Sequence, residues 1–268
     1  MNDRLQDALK KLRLSGMAHS LDVRLQEATA NSLNPQEFLE LIVQDELDTR
    51  KDRLIARRVK VADFRDPKHL DDFNWSFNPS IPKKPLFELA TGKFIQQAKD
   101  VLLLGPPGVG KSHLAQAIGH QAILLGFAVL YRSVFDLVRE LMQDETLSGE
   151  DKTLARYLKP DLLIIDDMGI KQLPKRSGEY LFEIVMRRYE KRSTLMTSNR
   201  PIEEWGKLLG DVPAASAILD RFLHHAEIIT IQGRSYRLKD RPKAEEPQKK
   251  GRKEQLHQET VASTDKPN

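Results

Sequence analysis

The chain has 268 residues, of which 40% are hydrophobic and 31% are charged, a balance typical of soluble globular proteins. It contains no cysteine, which excludes disulfide bonds and thiolate metal sites. The net charge of +4 is only a mild bias toward polyanions such as nucleic acid. No apolar run approaches the roughly 18 residues of a membrane span, and the charged N-terminus is unlike a signal peptide. We therefore expect a cytoplasmic protein without membrane association.

Residues 1–65 are predicted to form a small helical domain that binds a partner or DNA. Asn34, Pro35 and Glu37 form the start signal of a long helix that could continue through Ile55. The second half of this helix carries six basic residues: Arg50, Lys51, Arg53, Arg57, Arg58 and Lys60. Such a run is usually a solvated helix face. The alternative is a surface that contacts DNA phosphates.

Three more regions follow. Residues 66–86 contain four prolines and three aromatic residues, which predicts an extended linker packed on a neighbouring domain. Within this linker, Trp75 is interpreted as a residue that packs on the neighbouring domain rather than one that stacks on nucleic acid. Residues 87–240 form the main domain, and the polar residues 241–268 are predicted to be a disordered tail. Four basic residues of the tail could contact nucleic acid or merely increase solubility: Lys249, Lys250, Arg252 and Lys253.

The main domain alternates apolar strands with amphipathic helices. The predicted strands are 101–104, FAVLYR, DLLIIDD, STLMTSN and AEIITI. The predicted helices cover about 87–98, 111–125, the segment capped by Ser133, 151–158, 178–191 and 214–224. Because the strands are apolar throughout, we expect an α/β fold whose parallel sheet is covered on both faces.

The segment LLLGPPGVGKSH, residues 102–113, joins a strand to a helix and matches the phosphate-loop pattern G-x-x-x-x-G-K-[ST]. Glycines let consecutive N–H groups point at phosphate oxygens, and the helix adds the positive end of its dipole. Lys111 would reach the β- and γ-phosphates, and the Ser112 hydroxyl would ligate Mg²⁺. The predicted nucleotide-binding residues are Gly105, Pro106, Pro107, Gly108, Val109, Gly110, Lys111, Ser112 and His113.

Polar residues at two other strand ends complete the predicted catalytic site. Asp166 and Asp167 end the apolar run LLIIDD, and a carboxylate in that place faces the phosphate loop of a parallel sheet. Asp166 is the predicted Mg²⁺ ligand, and Asp167 is predicted to orient or deprotonate the attacking water. Asn199 is the candidate that holds this water, with Ser198 as the second choice. The alternative for Asn199 is a cap on the following helix.

Arg221, in AILDRFLHH, precedes the last predicted strand. A lone arginine on an amphipathic helix is usually solvated. One class of P-loop ATPases, however, places an arginine here that enters the neighbouring subunit's site and neutralises charge on the transferred phosphoryl group. His224 and His225 show no metal-like spacing with other ligands, so they are interpreted as surface or packing residues.

In this order, these elements resemble the AAA+ ATPases and, more narrowly, the IstB-like ATP-binding proteins of bacterial insertion sequences, which are relatives of the helicase loader DnaC. The resemblance covers about residues 5–238 through LRLSGMA, LLLGPPGVGKSHLAQAIG, DLLIIDDMG, LMTSNRP, AILDRF and GRSYR. It implies a P-loop core with a five-stranded parallel sheet in the order 5-1-4-3-2, and ATP and Mg²⁺ as cofactors. It also implies an ATP-dependent homo-oligomer on double-stranded DNA without sequence specificity, and the transposase encoded by the same element as a partner.

The chain departs from the AAA+ pattern in two places. Asp167 stands where most AAA+ proteins have glutamate, and its shorter side chain predicts slow hydrolysis, with assembly as the useful output. The last strand is followed by too few residues for a helical lid domain, so Arg237 could only partly replace the nucleotide-sensing arginine of that lid.

Two other functions remain open at this stage. A helicase loader would share the ATPase core and would differ in binding a helicase and single-stranded DNA. A small-molecule kinase would also use the phosphate loop, but it needs a lid with arginines. For the transposition helper, the candidate contacts to the DNA backbone are Arg139 and the basic residues at 50–60.

Overall fold

The computed structural model describes residues 3–146, 152–210 and 212–239. Contacts within the chain separate a compact unit, residues 1–236, from a second unit, residues 237–268. Of the second unit only 237–239 are described, and Arg237 is exposed there. The predicted tail, with its four basic residues, lies outside the described residues. Among the described helices, none is both long and apolar enough to cross a membrane.

The first part of the chain is helical, as the sequence predicts. Its helices are α1 (Asp3–Lys11), α2 (Ser15–Ala30) and α3 (Pro35–Ala62). The start of α3 is a capping box in which Asn34 accepts from the Glu37 amide and Glu37 accepts from the Asn34 amide. At 28 residues, α3 confirms the expected long helix. Leu9, Leu21 and Ile42 form a small core between the three helices.

The centre of the fold is one five-stranded parallel sheet in the order β2-β3-β4-β1-β5. Its strands are β1 (Asp100–Leu104), β2 (Val129–Ser133), β3 (Leu162–Met168), β4 (Ser193–Ser198) and β5 (Ala226–Thr230). The order is 5-1-4-3-2 when counted from the other edge, so the expected AAA+ topology is confirmed. All five strands run in the same direction, which brings their carboxyl ends to a single edge of the sheet.

Helices cover both faces of this sheet. They are α4 (Lys83–Ala90), α5 (Lys93–Gln96), α6 (Lys111–Leu124), α7 (Val134–Thr146), α8 (Lys152–Leu158), α9 (Ser177–Arg188), α10 (Trp205–Leu209) and α11 (Val212–His224), with 3₁₀ turns at Ile202–Glu204 and Tyr236–Leu238. The single helix predicted for 87–98 is wrong, because Gly92 has a φ of 73° and separates α4 from α5. Helix α4 also begins inside the predicted linker, and α10, anchored by the buried Trp205, was not predicted.

Side chains of each strand alternate between two cores. In β1, Leu102 packs with helices α7 to α11 on one face, whereas Val101 and Leu103 pack with α4, α5, α6 and the end of α3 on the other. Trp75 packs against this second core beside Phe73 and Phe87, as the sequence interpretation favoured. Strands β1 to β4 are therefore buried on both faces, whereas the edge strand β5 is mostly exposed.

Two buried ionisable residues, Arg188 and Asp100, lie at the amino edge of the sheet. Arg188 is 1% exposed and donates to the carbonyls of Tyr157, Pro160 and Ser193, and burial lowers its pKa to about 10. Asp100 is also buried, and desolvation raises its pKa to about 7, although the Thr194 amide and the charges of Arg188 and His225 favour the ionised form. Proton binding to Asp100 is therefore linked to folding.

Because the folded pKa of Asp100 lies above the ordinary value of 3.8, this linkage makes the folded state progressively less stable as pH rises from about 4 through about 7. We expect Asp100→Asn, which retains the acceptor for the Thr194 amide, to abolish this decrease in the free energy of unfolding with rising pH. Urea unfolding at pH 5, 6, 7 and 8 measures it against the exposed control Asp71→Asn. Parallel pH profiles for the native protein and Asp100→Asn would contradict the assignment.

Candidate nucleotide-binding site

The phosphate loop, residues 105–110, lies between β1 and α6 as predicted. Lys111 is the first residue of α6, and its ammonium group donates to the carbonyls of Gly105 at 2.8 Å and Pro106 at 2.9 Å. The lysine is only 5% exposed, so its charge is held across the loop rather than in solvent. The loop leads directly into the amino end of α6, which is the positive end of the helix dipole.

Two glycines of the loop are required by the segment that follows β5. Gly105 has a φ of 155°, and a Cβ there would lie 2.0 Å from the Ile231 carbonyl oxygen. Gly108 has a φ of 83°, and a Cβ would lie 2.1 Å from the Ser235 hydroxyl. The Tyr236 amide donates to the Gly108 carbonyl at 2.9 Å. The GRSYR motif therefore packs against the phosphate loop, a contact that its position in the sequence does not reveal.

Asp166 lies at the end of β3 and is fully buried. Its Oδ1 accepts from the Ser112 hydroxyl at 3.0 Å and also from the Thr197 hydroxyl, and its Oδ2 accepts from the Tyr131 hydroxyl at 2.5 Å. Ser112 and Asp166 thus meet as the sequence predicted, and together they offer the hard oxygen donors that Mg²⁺ prefers.

Sequence reasoning missed Tyr131 and Thr197, which come from β2 and β4. Burial, reinforced by the Asp166 charge, raises the pKa of Tyr131, so its hydroxyl stays protonated and donates. Thr197 donates to Asp166 and accepts from the Asp167 amide at 3.2 Å. Thr197 could have been predicted as a site residue from its place within LMTSN at a strand end. No local sequence pattern identifies Tyr131 as a site residue.

Asp167 has a φ of 69°, a conformation that residues other than glycine rarely adopt. The pairing register between β3 and β4 is interrupted here, between Ile165 and Met168. The Asp167 Oδ2 pairs with the Arg65 guanidinium at 2.7 Å. Arg65 was not predicted as a site residue, because it follows the N-terminal helix α3 and is distant in sequence.

Asn199 is half-buried directly after β4, and its backbone amide donates to the Met168 carbonyl at 2.9 Å. It does not cap the following 3₁₀ turn, whose N-cap residue is Pro201. The Ser198 hydroxyl exchanges hydrogen bonds with the backbone of Arg200 and so stabilises the bend that precedes that turn. Of the two candidates for holding a water, Ser198 already has a structural role.

Arg221 is not brought to the phosphate loop of its own chain. It lies near the end of α11, five residues before Ala226, the first residue of β5, whereas the loop follows the carboxyl end of the neighbouring parallel strand β1. The strand between them spans roughly 13 Å. The Arg221 side chain is 48% exposed and stacks over the Tyr189 ring at 5.7 Å.

His224 and His225 are surface or half-buried residues, as the sequence interpretation has them, and the fold brings a third potential ligand beside them from a distant part of the sequence. Glu190 joins them, and one potential ligand atom from each of the three residues lies within 4.8 Å of the others. The contacts seen are an ion pair between His225 and Glu190 at 2.9 Å and a hydrogen bond between Tyr189 and His224. The pKa of Glu190 is lowered, mainly by its hydrogen bond to His225.

The basic residues proposed for DNA contact fall into two groups. Arg50 pairs with Glu46, Arg53 donates to Ser15 and Arg58 donates to the Gly126 carbonyl. Lys51, Arg57, Lys60 and Arg139 are exposed, as are Arg50 and Arg53 despite these contacts, and Arg139 pairs with Asp136 on its own helix. His113, the last predicted loop contact, bonds to the His69 carbonyl and packs against Phe73.

Comparison with known proteins identifies the family. A family model described as IstB-like ATP binding protein matches residues 7–244. The chain belongs to this family. The ATP-binding protein of insertion sequence IS5376 from Geobacillus stearothermophilus is 36% identical over 249 residues, which cover 93% of this chain and 99% of that protein. The IS21 ATP-binding protein of Pseudomonas aeruginosa is 36% identical over 90% of this chain and 91% of its own length.

Solved structures place this IstB-like chain in a wider fold group. The crystal structure of DnaI has a TM-score of 0.51 at 24% identity and covers 63% of this chain and 89% of DnaI. AMPPCP-bound DnaA from Aquifex aeolicus has a TM-score of 0.51 at 22% identity and covers 63% of this chain and 51% of DnaA. At such identity the likeness shows the AAA+ fold and not a shared function.

The buried hydroxyl of Thr197 should contribute measurably to stability. We expect Thr197→Val to lower the free energy of unfolding by about 1–3 kcal/mol, because the Asp167 amide loses its acceptor and Asp166 loses a donor. Denaturant unfolding measures the loss. The matched control is Thr29→Val, whose exposed hydroxyl donates to a carbonyl of α2 and should matter by less than about 0.5 kcal/mol. Equal losses in both variants would show that the Asp166 network is not stabilising.

Proposed function

We propose that this protein is a helper ATPase of transposition. It binds ATP, assembles on double-stranded DNA without sequence specificity, and directs the transposase encoded by the same element to that DNA. The observation that carries the proposal is the Ser112–Asp166 contact at the end of an intact phosphate loop. The family supports it, because relatives that match almost the whole chain are ATP-binding proteins of insertion sequences.

ATP binding would use the loop backbone and Lys111. The ammonium group now bonded to two loop carbonyls would turn to the β- and γ-phosphate oxygens, whose negative charge attracts it more strongly. Ser112 and Asp166 would hold Mg²⁺, which supplies positive charge beside those phosphates. The three hydroxyl donors around Asp166 fix the orientation of its carboxylate before the ligand arrives.

Hydrolysis would depend on Asp167 as the acceptor of the water proton and on Asn199 as the group that holds the water. Asp167 lies near the carboxyl end of β3 and Asn199 directly follows β4, at the edge of the sheet where the phosphate loop lies. Asp167 is one methylene shorter than glutamate, so we propose slow turnover. Assembly of the ATP-bound form is then the output that matters for transposition.

The position of Arg221 supports assembly of the protein into a homo-oligomer. Because it lies at the opposite edge of the sheet from its own phosphate loop, it can complete only the site of another copy. Its half-exposed guanidinium is available for that contact. We propose that Arg221 of one subunit neutralises the transferred phosphoryl group of the next, which couples ATP binding to a homo-oligomer.

DNA binding would use exposed basic residues on the helical N-terminal region, residues 1–65, and on α7. Lys51, Arg57, Lys60 and Arg139 are exposed, and their charges suit a phosphate backbone rather than particular bases. Several such contacts make the affinity fall steeply as salt rises. Recruitment of the transposase is proposed from the family alone.

Size measurement by light scattering, with and without ATP and duplex DNA, tests this proposal. We expect the native protein to form oligomers with ATP, Lys111→Ala to lose both ATP binding and assembly, and Arg221→Ala to bind ATP but assemble and hydrolyse poorly, by about tenfold or more. The matched control is Arg187→Ala, because Arg187 has the same 48% exposure and pairs with Glu183 on α9.

Two results would contradict the proposal. A native protein that stays monomeric with ATP and DNA would exclude nucleotide-dependent assembly. Full hydrolysis by Arg221→Ala would exclude its action on a neighbouring subunit, even if oligomers form.

Asp167→Glu tests whether the short carboxylate limits hydrolysis. We expect the longer side chain to raise kcat by about two- to tenfold, because it reaches closer to the water in the manner of most AAA+ proteins. Steady-state phosphate release at saturating ATP measures the rate, and Glu183→Asp on the exposed face of α9 controls for a carboxylate length change elsewhere. An unchanged kcat would mean that another step limits turnover.

A further inference from the structure

The carboxylate proposed to activate water is already engaged by a cation of its own chain. Arg65 and Asp167 form an ion pair at 2.7 Å, in which the Asp167 side chain is 15% exposed and the Arg65 side chain 49%. The guanidinium also lies 5.9 Å from the centre of the Tyr131 ring, whose hydroxyl donates to Asp166. Arg65 therefore reaches the centre of the candidate site from a segment outside the phosphate loop and the sheet.

That segment, residues 63–66, directly follows α3 and is fastened at several points to the sheet and α6. Asp63 pairs at 2.9 Å with Arg132, a side chain only 7% exposed. The Phe64 ring lies 6.1 Å from the Tyr131 ring, and the Asp66 amide donates to the Gln116 side chain at 3.2 Å. The position of Arg65 is thus set by neighbours on both sides and not by its own ion pair alone.

An ion pair of this kind opposes the role proposed for Asp167. A guanidinium that donates to Oδ2 occupies one of the two oxygens that could accept a proton from the water. It also fixes the direction of a side chain whose backbone is held at a φ of 69°. For Asp167 to accept a proton, the carboxylate must turn from Arg65 to the water.

We infer that Arg65 is a positioning residue that restrains Asp167 and keeps hydrolysis slow. The inference rests on the proposed function, in which Asp167 accepts the proton of the attacking water. Arg65 acts only through Asp167, so it governs the rate of hydrolysis and not the binding of ATP. Its attachment to the end of α3 makes the N-terminal helical region part of the ATPase site.

The test compares steady-state ATP hydrolysis by the native full-length chain, Arg65→Gln and Arg65→Met. We expect kcat to rise about three- to fivefold in both variants, the scale of one partly exposed ion pair, while the KM for ATP stays within about twofold. Arg65→Lys, which can still pair with Asp167, should keep kcat within about twofold of the native value. Arg65→Met retains the aliphatic packing near Tyr131, so the test does not depend on the glutamine variant alone.

Lys68→Gln is the matched control. It also removes a positive charge close to Arg65 in the sequence, but Lys68 pairs with Asp66 and not with Asp167. A similar rise of kcat in this control, or an unchanged or lower kcat in both Arg65 variants, would overturn the restraint. Asp167→Asn separates this result from the proposed function. If Asp167→Asn abolishes hydrolysis while the Arg65 variants show no gain, only the inferred restraint by Arg65 is wrong. If Asp167→Asn still hydrolyses ATP, Asp167 is not the proton acceptor, and both the restraint and the proposed hydrolysis mechanism fail.

Discussion

The Asp166 carboxylate is completely buried, and three hydroxyl groups from three different elements donate to it. A buried anion is costly unless its oxygens are hydrogen-bonded, so the fold must bring these donors together. Ser112 comes from the helix after the phosphate loop, Tyr131 from β2 and Thr197 from β4. One charge at a strand end thus links the loop, two neighbouring strands and the start of α6 into a single polar centre.

The parallel sheet places the candidate nucleotide-site residues and Arg221 at opposite edges. The phosphate loop and Asn199 follow β1 and β4, and Asp166 and Asp167 lie near the carboxyl end of β3, whereas Arg221 precedes the amino end of β5. A strand of five residues keeps these edges apart, and no side-chain rotation can close that distance. The geometry that prevents Arg221 from serving its own site is therefore the physical basis for proposing a shared one.

Segments from both ends of the compact unit pack around the loop and the carboxylates. The Tyr236 amide bonds to Gly108, and Asn78 exchanges hydrogen bonds with the backbone of Arg234. Residues 63–66 reach Asp167 and Tyr131 from the other side through Arg65 and Phe64. The site is consequently built from residues that lie between 63 and 236, although its defining motif is short.

The sequence by itself determined the parts of this protein that depend on neighbouring residues. The phosphate loop, the capping box of α3, the apolar strands and the polar residues at their ends all follow from local patterns, and with the parallel arrangement they predict that Ser112 and Asp166 meet. Only the tertiary structure decided the rest. Arg65, Tyr131 and Thr197 join the site because strand register and the packing of α3 place them there, and Gly92 splits a predicted helix for a conformational reason that periodicity does not record. Apart from the place of Thr197 at a strand end, these contacts have no local signal, because Arg65 and Tyr131 are equally compatible with an ordinary surface or core position.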